Sequence, residues 1–212
     1  MEAVKSSYKI EFALPRDDAY NIIEIHGRKA WQSQDNTKDG SAAEFIKMII
    51  AKGHESVLEH SMISVSFIID RSIAIELRTH RLASHIMEST RYCAYKDHLK
   101  FVIPWWLNMP DGIVTTPKIG CQADGEEWLT GMLEEEARYH RLLADGWSPQ
   151  KARAFLPGSL RAEMGVTANF REWRHIQKLR TDPAAHPDMR KIMIPLFKDL
   201  AERYPEIFGE EI

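Results

Sequence analysis

THRLASHIMESTRY, residues 79–92, places two arginines, two histidines, two serines, two threonines and a glutamate in fourteen positions. Guanidinium groups suit phosphate because they donate hydrogen bonds in a fixed fork, and short hydroxyl side chains add neutral donors. Donors of this kind near a helix end form a site for an anion. The stretch therefore predicts an anion-binding segment, and the alternative that its residues leave open is a solvated helix end.

Ser89 allows a second interpretation of this stretch, a serine nucleophile with His85 or His80 as its base. The sequence does not support it, because the Gly-x-Ser-x-Gly turn that exposes such a serine is missing. A hydroxyl without an evident base is better interpreted as a hydrogen-bond donor to a ligand.

The residues on either side predict one strand and several helices. Residues 62–70, MISVSFIID, alternate apolar and polar side chains as a half-buried strand does, and residues 71–84 predict a helix that ends in the polar stretch. Residues 104–125 are rich in proline and glycine and are expected to form a long surface excursion. Further helices are predicted at 17–31, 41–52, 126–144, 148–156, 171–180 and 186–204, with Ser41 as a cap, Gly53 and Gly146 as ends and Pro195 as a kink.

The composition is that of an ordinary globular protein. The chain has 212 residues, 44% hydrophobic and 28% charged, so we predict a single domain over residues 1–212. No apolar run approaches the about 20 residues of a membrane span, and the first ten residues lack an apolar signal core, so we expect a cytoplasmic protein. Cys93 and Cys121 predict no disulfide framework, and Cys93 is interpreted as a small buried residue.

The charge distribution favours a small anionic ligand over a nucleic acid. The formal net charge is −3, yet residues 71–100 contain six Lys or Arg residues against three acidic ones. A nucleic-acid track needs cations along an extended face, because its phosphates recur every few ångströms. A nucleic-acid-binding module therefore remains only a rival interpretation of this cationic segment.

Residues 54–60, HESVLEH, raise the question of a metal site. His54 and His60 are six positions apart, which turns them about 240° from one another on a helix, whereas a zinc-protease helix needs histidines four apart. We therefore expect no metal there. Structural histidines, or histidines that contact an organic ligand, remain the alternatives, with a metal-dependent hydrolase as a distant one.

HESVLEH, the following strand and THRLASHIMESTRY together resemble the flavin-dependent thymidylate synthases. The signature of that family is Arg-His-Arg, seven residues, Ser, and here it reads Thr79-His80-Arg81, residues 82–88, Ser89, followed by Arg91-Tyr92. KARAFLPGSL, NFREWRHIQKLR and the AHP turn at 185–187 are similar to later segments of the family. The resemblance covers roughly residues 17–203 in order.

The resemblance implies a mixed α/β (α+β) domain with a central, largely antiparallel sheet flanked by helices, assembled as a homotetramer. Cationic clusters at 78–91 and 171–180 would converge across subunit boundaries in such an assembly. The activity implied is reductive methylation of dUMP to dTMP. The carbon would come from 5,10-methylenetetrahydrofolate and the hydride from FAD reduced by NADPH, with tetrahydrofolate released.

The resemblance also assigns residues one by one. For FAD the matching positions are His54, Ser56, Thr79, His80, Arg81, Asn169, Arg171 and His175. For the nucleotide they are Glu76, Glu88, Ser89, Thr90, Arg91, Arg153 and Arg180. Arg180 is the first candidate catalytic residue because a permanent cation can stabilise negative charge on the pyrimidine, and Ser89 is the second.

Thr79 departs from the signature, which usually has arginine there. Arg78 cannot take its place, because neighbouring helical residues point about 100° apart. Loss of one charged contact costs on the order of 1–3 kcal/mol of affinity, so we expect weaker flavin retention. The alternative function is accordingly a catalytically impaired homologue that still binds FAD or nucleotide.

Overall fold

The computed structural model describes residues 1–117 and 123–209. The strands are β1 Glu2–Val4, β2 Ser7–Ala13, β3 Met62–Asp70, β4 Ser84–Met87, β5 Lys100–Val102, β6 Gly112–Ile113 and β7 Arg161–Asn169. The helices are α1 Arg16–Ala30, α2 Ser41–Ala51, α3 Arg71–Leu77, α4 Ala123–Ala144, α5 Pro149–Ala152, α6 Phe170–Arg180, α7 Pro187–Arg203 and α8 Pro205–Phe208. Short 3-10 turns lie at Gln34–Asn36, Glu55–His60 and Arg153–Phe155.

The strands form two sheets. In the four-stranded sheet the order is β2-β3-β7-β4, and β3 and β7 run antiparallel, since Phe170 N donates to Ser61 O while Arg71 N donates to Leu160 O. In the three-stranded sheet the order is β5-β1-β6, with β1 and β6 antiparallel and β1 and β5 parallel. The expectation of a mixed domain with largely antiparallel sheets and flanking helices is confirmed.

The chain divides into two compact units, each built from three segments. The first unit comprises Met1–Ser7, Phe67–Thr79 and Ile86–Met164, and the second comprises Tyr8–Ser66, His80–His85 and Gly165–Ile212. The core of the first unit gathers apolar residues of β1, β5, α4 and the segment after β5. The core of the second unit includes aromatic rings of α6, α7 and α8, among them Phe170, Trp173, Phe197 and Phe208.

The alternating pattern of residues 62–70 forms β3 as predicted, with Ile63, Val65, Phe67 and Ile69 all buried. Helix α1 is also as predicted, and its buried Gly27 allows α2 to pack closely. A Cβ atom at Gly27 would lie 2.4 Å from Cζ of Phe45, so any larger side chain would displace that ring.

Two local predictions about helix ends were wrong. Ser41 is the first residue of α2 rather than its cap, because Gly40 occupies the cap position with φ of +77°. The Ser41 hydroxyl instead donates to Glu24 Oε1 at 2.7 Å. The helix predicted over 71–84 ends at Leu77, where the Thr79 hydroxyl donates to the Glu76 carbonyl at 2.8 Å and competes with further helical turns.

Cys93 is exposed, so its interpretation as a buried residue was wrong. The hydrogen bonds of its segment explain this, since Cys93 N donates to Ser89 O at 3.0 Å in a tight turn at the surface. Cys121 lies outside the described residues. Within the excursion predicted at 104–125, Leu107, Met109 and Val114 are buried in the core of the first unit.

Candidate active site

Helix α6 and its cap residue position four of the eight candidate residues in the second unit. Its cap is Asn169, whose side-chain oxygen accepts a hydrogen bond from Glu172 N at 2.9 Å. One face of the helix is anchored by Trp173, which is 0% exposed and donates from Nε1 to Ile63 O at 3.1 Å. The anchoring fixes the direction of the helix, and Arg180 lies at its C-terminal end, where a cation is favoured.

Arg180, His80 and Glu172 form a chain of polar contacts within the second unit. Nε of Arg180 donates to Nε2 of His80 at 2.8 Å, and Nδ1 of His80 lies 3.3 Å from Oε1 of Glu172. His80 and Glu172 are each 4% exposed. Because the guanidinium Nε–H is always a donor, Nε2 must be the acceptor, which leaves the imidazole proton on Nδ1, facing the carboxylate.

The surroundings keep His80 neutral. Burial, Arg180, His175 and His85 together lower the pKa of His80 to about 4 from 6.5, with burial as the largest cause. Burial also raises the pKa of Glu172, and His175 opposes that shift. Since the folded chain binds fewer protons at His80 than the unfolded chain does, His80 reduces stability as pH falls from about 6.5 towards 4.

The remaining flavin candidates of the second unit are mostly exposed donors. Arg81 lies in the turn after His80, and His175 presents its ring edge-on to His80 with centroids 5.6 Å apart. Arg171 forms an ion pair with Glu59 at 2.6 Å. His54 lies edge-on to Trp31 with ring centroids 5.6 Å apart, and Ser56 follows in the 3-10 turn Glu55–His60.

The nucleotide candidates other than Arg180 all belong to the first unit, as does Thr79. Glu88 pairs with Arg161 of β7 at 3.3 Å. The Ser89 hydroxyl accepts a hydrogen bond from Arg91 N at 3.3 Å, so it caps the turn of its own segment. Nε of Arg91 donates to Gln150 Oε1 at 2.7 Å, which directs the guanidinium towards α5.

The other nucleotide candidates differ in exposure. Thr90 is buried, Glu76 of α3 is half-buried, and Arg153 is exposed at the start of a 3-10 turn. The Thr79 hydroxyl is used within its own turn, as described above. The hydroxyl of Thr79 is therefore less available to a ligand than the sequence suggested.

An open pocket of about 210 Å³ lies in the first unit beside Glu88 and Arg161. Its volume is below the about 300–1,000 Å³ typical of sites that enclose an organic ligand. Its cations are largely compensated, since Lys100 pairs with Glu2 at 2.9 Å and Arg161 with Glu88. The pocket alone is thus too small and too neutral to hold a whole nucleotide.

Sequence reasoning missed Glu172 and Arg161. Glu172 stands three residues after the cap Asn169, which is the usual pattern of a capping box, and that pattern hides any other role. For Arg161 the sequence shows only a positive charge at the start of a strand, which does not indicate a functional role. Neither residue could be assigned without knowing which elements pack together.

Within residues 1–117 and 123–209, no group of three or more His, Cys, Asp or Glu side chains could hold a metal ion. In the same ranges no helix is long and apolar enough to cross a membrane.

The donor set of the second unit fits a flavin nucleotide. Arg81, Arg171 and His175 are exposed on their segments, and guanidinium and imidazole N–H groups suit the two phosphates of such a cofactor. The exposed Ser56 adds a hydroxyl donor.

The model of the family described as thymidylate synthase complementing protein matches residues 12–206. A flavin-dependent thymidylate synthase of Mycobacterium tuberculosis (strain ATCC 25618 / H37Rv) is 33% identical over 200 residues, which cover 89% of this chain and 78% of the relative. One of Mycobacterium avium (strain 104) is 31% identical over 219 residues, covering 95% and 86%.

Among solved structures, a UMP/dUMP methylase, PolB from Streptomyces cacaoi, bound with 5-Br dUMP, superposes with a TM-score of 0.76. It is 21% identical and the superposition covers 99% of this chain and 96% of that one. The fold described above is therefore the fold of that structure.

Proposed function

This chain belongs to the thymidylate synthase complementing protein family of flavin-dependent thymidylate synthases, and on that premise we propose how its residues carry out the reaction. The enzyme methylates dUMP to dTMP with FAD as its cofactor. Bound FAD supplies the hydride that reduces the transferred carbon to a methyl group. The residues of the chain bind and orient the reactants and stabilise charge.

Arg180 is the residue that we place against the pyrimidine of dUMP. Negative charge develops on the ring as its C5 becomes a nucleophile, and a permanent cation stabilises that charge without transferring a proton. The observation that carries this role is the orientation of Arg180, whose Nε–H is directed at His80 Nε2 at 2.8 Å. The N–H groups of a guanidinium form a planar fork, which suits a planar acceptor such as the pyrimidine.

Glu88, Ser89, Thr90, Arg91 and Arg153 are proposed to bind the rest of the nucleotide. Arg91 and Arg153 are exposed cations, as the phosphate of dUMP requires. Ser89 is assigned to hydrogen bonding with the nucleotide rather than to nucleophilic attack, because its hydroxyl is part of a surface turn. Glu76 completes the set from α3.

FAD is proposed to contact His54, Ser56, Thr79, Arg81, Asn169, Arg171 and His175, with His80 behind them. Binding of the phosphates at Arg171 would require its ion pair with Glu59 to rearrange. Both side chains of that ion pair are exposed and the pair contributes little to stability, so breaking it costs little free energy.

We further propose methylenetetrahydrofolate as the carbon donor and NADPH as the reductant. The family membership supports both, since neither FAD nor dUMP supplies a one-carbon unit or net electrons. The exposed thiol of Cys93 fits a reducing compartment such as the cytoplasm.

The experiment that tests the function combines spectroscopy with product analysis. Purified protein loaded with FAD is mixed with NADPH, and bleaching of the flavin bands is followed with and without dUMP. We expect bleaching that is faster with dUMP, and dTMP formation once methylenetetrahydrofolate is added. A protein that bleaches but forms no dTMP would favour the catalytically impaired homologue, the alternative that Thr79 suggests.

Replacing Thr79 with arginine is expected to tighten FAD binding about 5- to 150-fold, the equivalent of one restored charged contact worth roughly 1–3 kcal/mol. The physical reason is that the Thr79 hydroxyl donates to the Glu76 carbonyl, whereas an arginine adds charged donors at this position. The dissociation constant is measured by flavin fluorescence titration, with Thr79→Val as the control for the lost hydroxyl. Tightening of no more than twofold contradicts a flavin contact at this position.

A homotetramer is the proposed assembly. Leu82, Ile86 and Tyr92 of the segment 79–92 are 78%, 77% and 74% exposed, which is unusual for large apolar side chains so close to site residues. Ile86 lies on β4, an edge strand of the four-stranded sheet, on its exposed face. In a tetramer these side chains would be covered by another copy.

Ile86→Glu is therefore expected to reduce the assembly below the tetramer and to lower activity with it. Light scattering after size exclusion gives the mass, and Ile75→Glu, on an exposed position of α3, serves as the matched control. A tetramer that persists in Ile86→Glu would place the interface elsewhere.

A further inference from the structure

The geometry points to His80 and Glu172 as positioning residues that act on the reaction by fixing the guanidinium of Arg180. The inference deepens the proposed function, and it rests on the role proposed there for Arg180. The motif resemblance assigned His80 to the flavin and did not single out Glu172. In the structure the imidazole of His80 contacts Arg180 through Nε2 and Glu172 through Nδ1.

The first argument is hydrogen-bond direction. Arg180 Nε can only donate, so the 2.8 Å contact requires a lone pair on His80 Nε2. The imidazole must then be neutral with its proton on Nδ1, and that proton faces the Glu172 carboxylate at 3.3 Å. Glu172 therefore selects the tautomer that can accept from Arg180, so the three groups form a directed chain.

The second argument is the conformation of Glu172. Three residues after the cap, its side chain would normally turn back to the backbone N–H of Asn169 and complete a capping box. Here the Glu172 carboxylate lies beside His80 instead, in a site where it is 4% exposed. Burial of a carboxylate is costly, and a structural cap would not require it.

The third argument is the environment of the imidazole. The charged or titratable groups that face His80 are Arg180, His175, His85 and Glu172. Protonation of His80 would place an N–H where Nε2 now accepts, against the Arg180 donor. The low pKa of His80, caused chiefly by burial and then by Arg180, keeps this state rare above about pH 5.

A direct contact of the His80 ring with a ligand fits the structure less well. The side chain is 4% exposed, and each ring nitrogen already faces a partner. Its effect on the reaction therefore passes through Arg180.

Two substitutions at position 80 separate the two ring nitrogens. In His80→Gln the side-chain amide reaches the position of Nε2, where its oxygen can accept from Arg180. In His80→Asn the amide reaches the position of Nδ1, so it retains a partner for Glu172 and leaves Arg180 without an acceptor. We expect His80→Asn to lower kcat tenfold or more and His80→Gln to lower it about threefold, with FAD dissociation constants within twofold of the wild type.

Glu172→Gln replaces the carboxylate with an amide of nearly the same shape, so it tests the charge of Glu172. A glutamine can donate to Nδ1 and so stabilise the tautomer that cannot accept from Arg180. We expect kcat to fall about tenfold while KM for dUMP changes less than threefold, because the guanidinium acts mainly on charge formed in the transition state. A purely structural role would lower the midpoint of thermal unfolding and FAD retention together with kcat.

A double-mutant cycle decides whether the effect passes through Arg180. In an Arg180→Ala background, His80→Asn is expected to have less than a twofold further effect on kcat, since the group that it positions is gone. Full additivity would overturn the inference, and so would equal kcat values for His80→Asn and His80→Gln. If Arg180→Ala itself retains the wild-type kcat, the role proposed for Arg180 is wrong. That outcome is distinct from a failure of the inference about His80 and Glu172.

Discussion

Arg180→Ala is expected to lower kcat for dTMP formation by about 10²–10³-fold, the usual effect of removing one preorganised group that stabilises transition-state charge. The side chain is half-buried at the end of α6, and its Nε is fixed on His80 at 2.8 Å, so no other group can easily take its place. Initial rates with saturating dUMP, methylenetetrahydrofolate and NADPH give the comparison. FAD binding should change little, because α6 is anchored elsewhere.

Two control variants sharpen this test. Arg180→Lys retains the charge but loses the fork, and we expect it to recover only part of kcat. Lys178→Ala removes an exposed cation from the same last helical turn and should leave kcat within twofold of the wild type. If Lys178→Ala and Arg180→Ala lose activity equally, a general loss of positive charge explains the result better than a specific role of Arg180.

Trp173→Ala is expected to reduce the free energy of unfolding by about 3–5 kcal/mol. The indole is 0% exposed, packs edge-on against Phe197 with ring centroids 6.2 Å apart, and donates to the carbonyl of Ile63 at 3.1 Å. The substitution leaves a cavity and removes the donor from a buried carbonyl. Thermal unfolding should shift downwards by roughly 6–20 °C in a chain of this length.

Trp173→Phe separates the two contributions, because it retains most of the volume and loses the Nε1 donor. We expect it to cost about 1–3 kcal/mol, less than the alanine variant. Because Trp173 lies between Glu172 and the rest of α6, Trp173→Ala should also lower kcat at temperatures well below unfolding. Wild-type stability in Trp173→Ala would mean that α6 does not depend on this anchor.

Regular periodicity made parts of the fold predictable. The alternation of residues 62–70 identified β3, the spacing of apolar residues identified α1 and α4, and helix propensity identified α6 and α7, each within a few residues of its ends. These patterns are local, so a sequence reveals them directly. The end of α3 and the strand β4 were missed, because a hydroxyl bond and edge pairing decide them, and neither has a periodic signature.

The candidate site was predictable only as a set of residue types. Motif positions singled out His80, Arg180 and Asn169 as candidates. The structure places all three in one unit, but their mutual contacts depend on which elements pack together. Glu172 illustrates the limit. Its position after Asn169 predicts a cap, and only the packing of α6 beside His80 turns it towards an imidazole. Charge alone did not distinguish Arg161, the partner of Glu88, from any other surface cation.

The division of each unit into three chain segments has a consequence for biosynthesis. The second unit includes residues 8–66, yet Phe208 is 0% exposed in its core and packs against Phe170 and Phe197. During translation, helices α1 and α2 leave the ribosome long before the aromatic rings that complete their unit exist. At about 5–20 residues per second, their apolar faces remain uncovered for several seconds or more. Nascent chains of this enzyme should therefore bind chaperones until α8 has emerged.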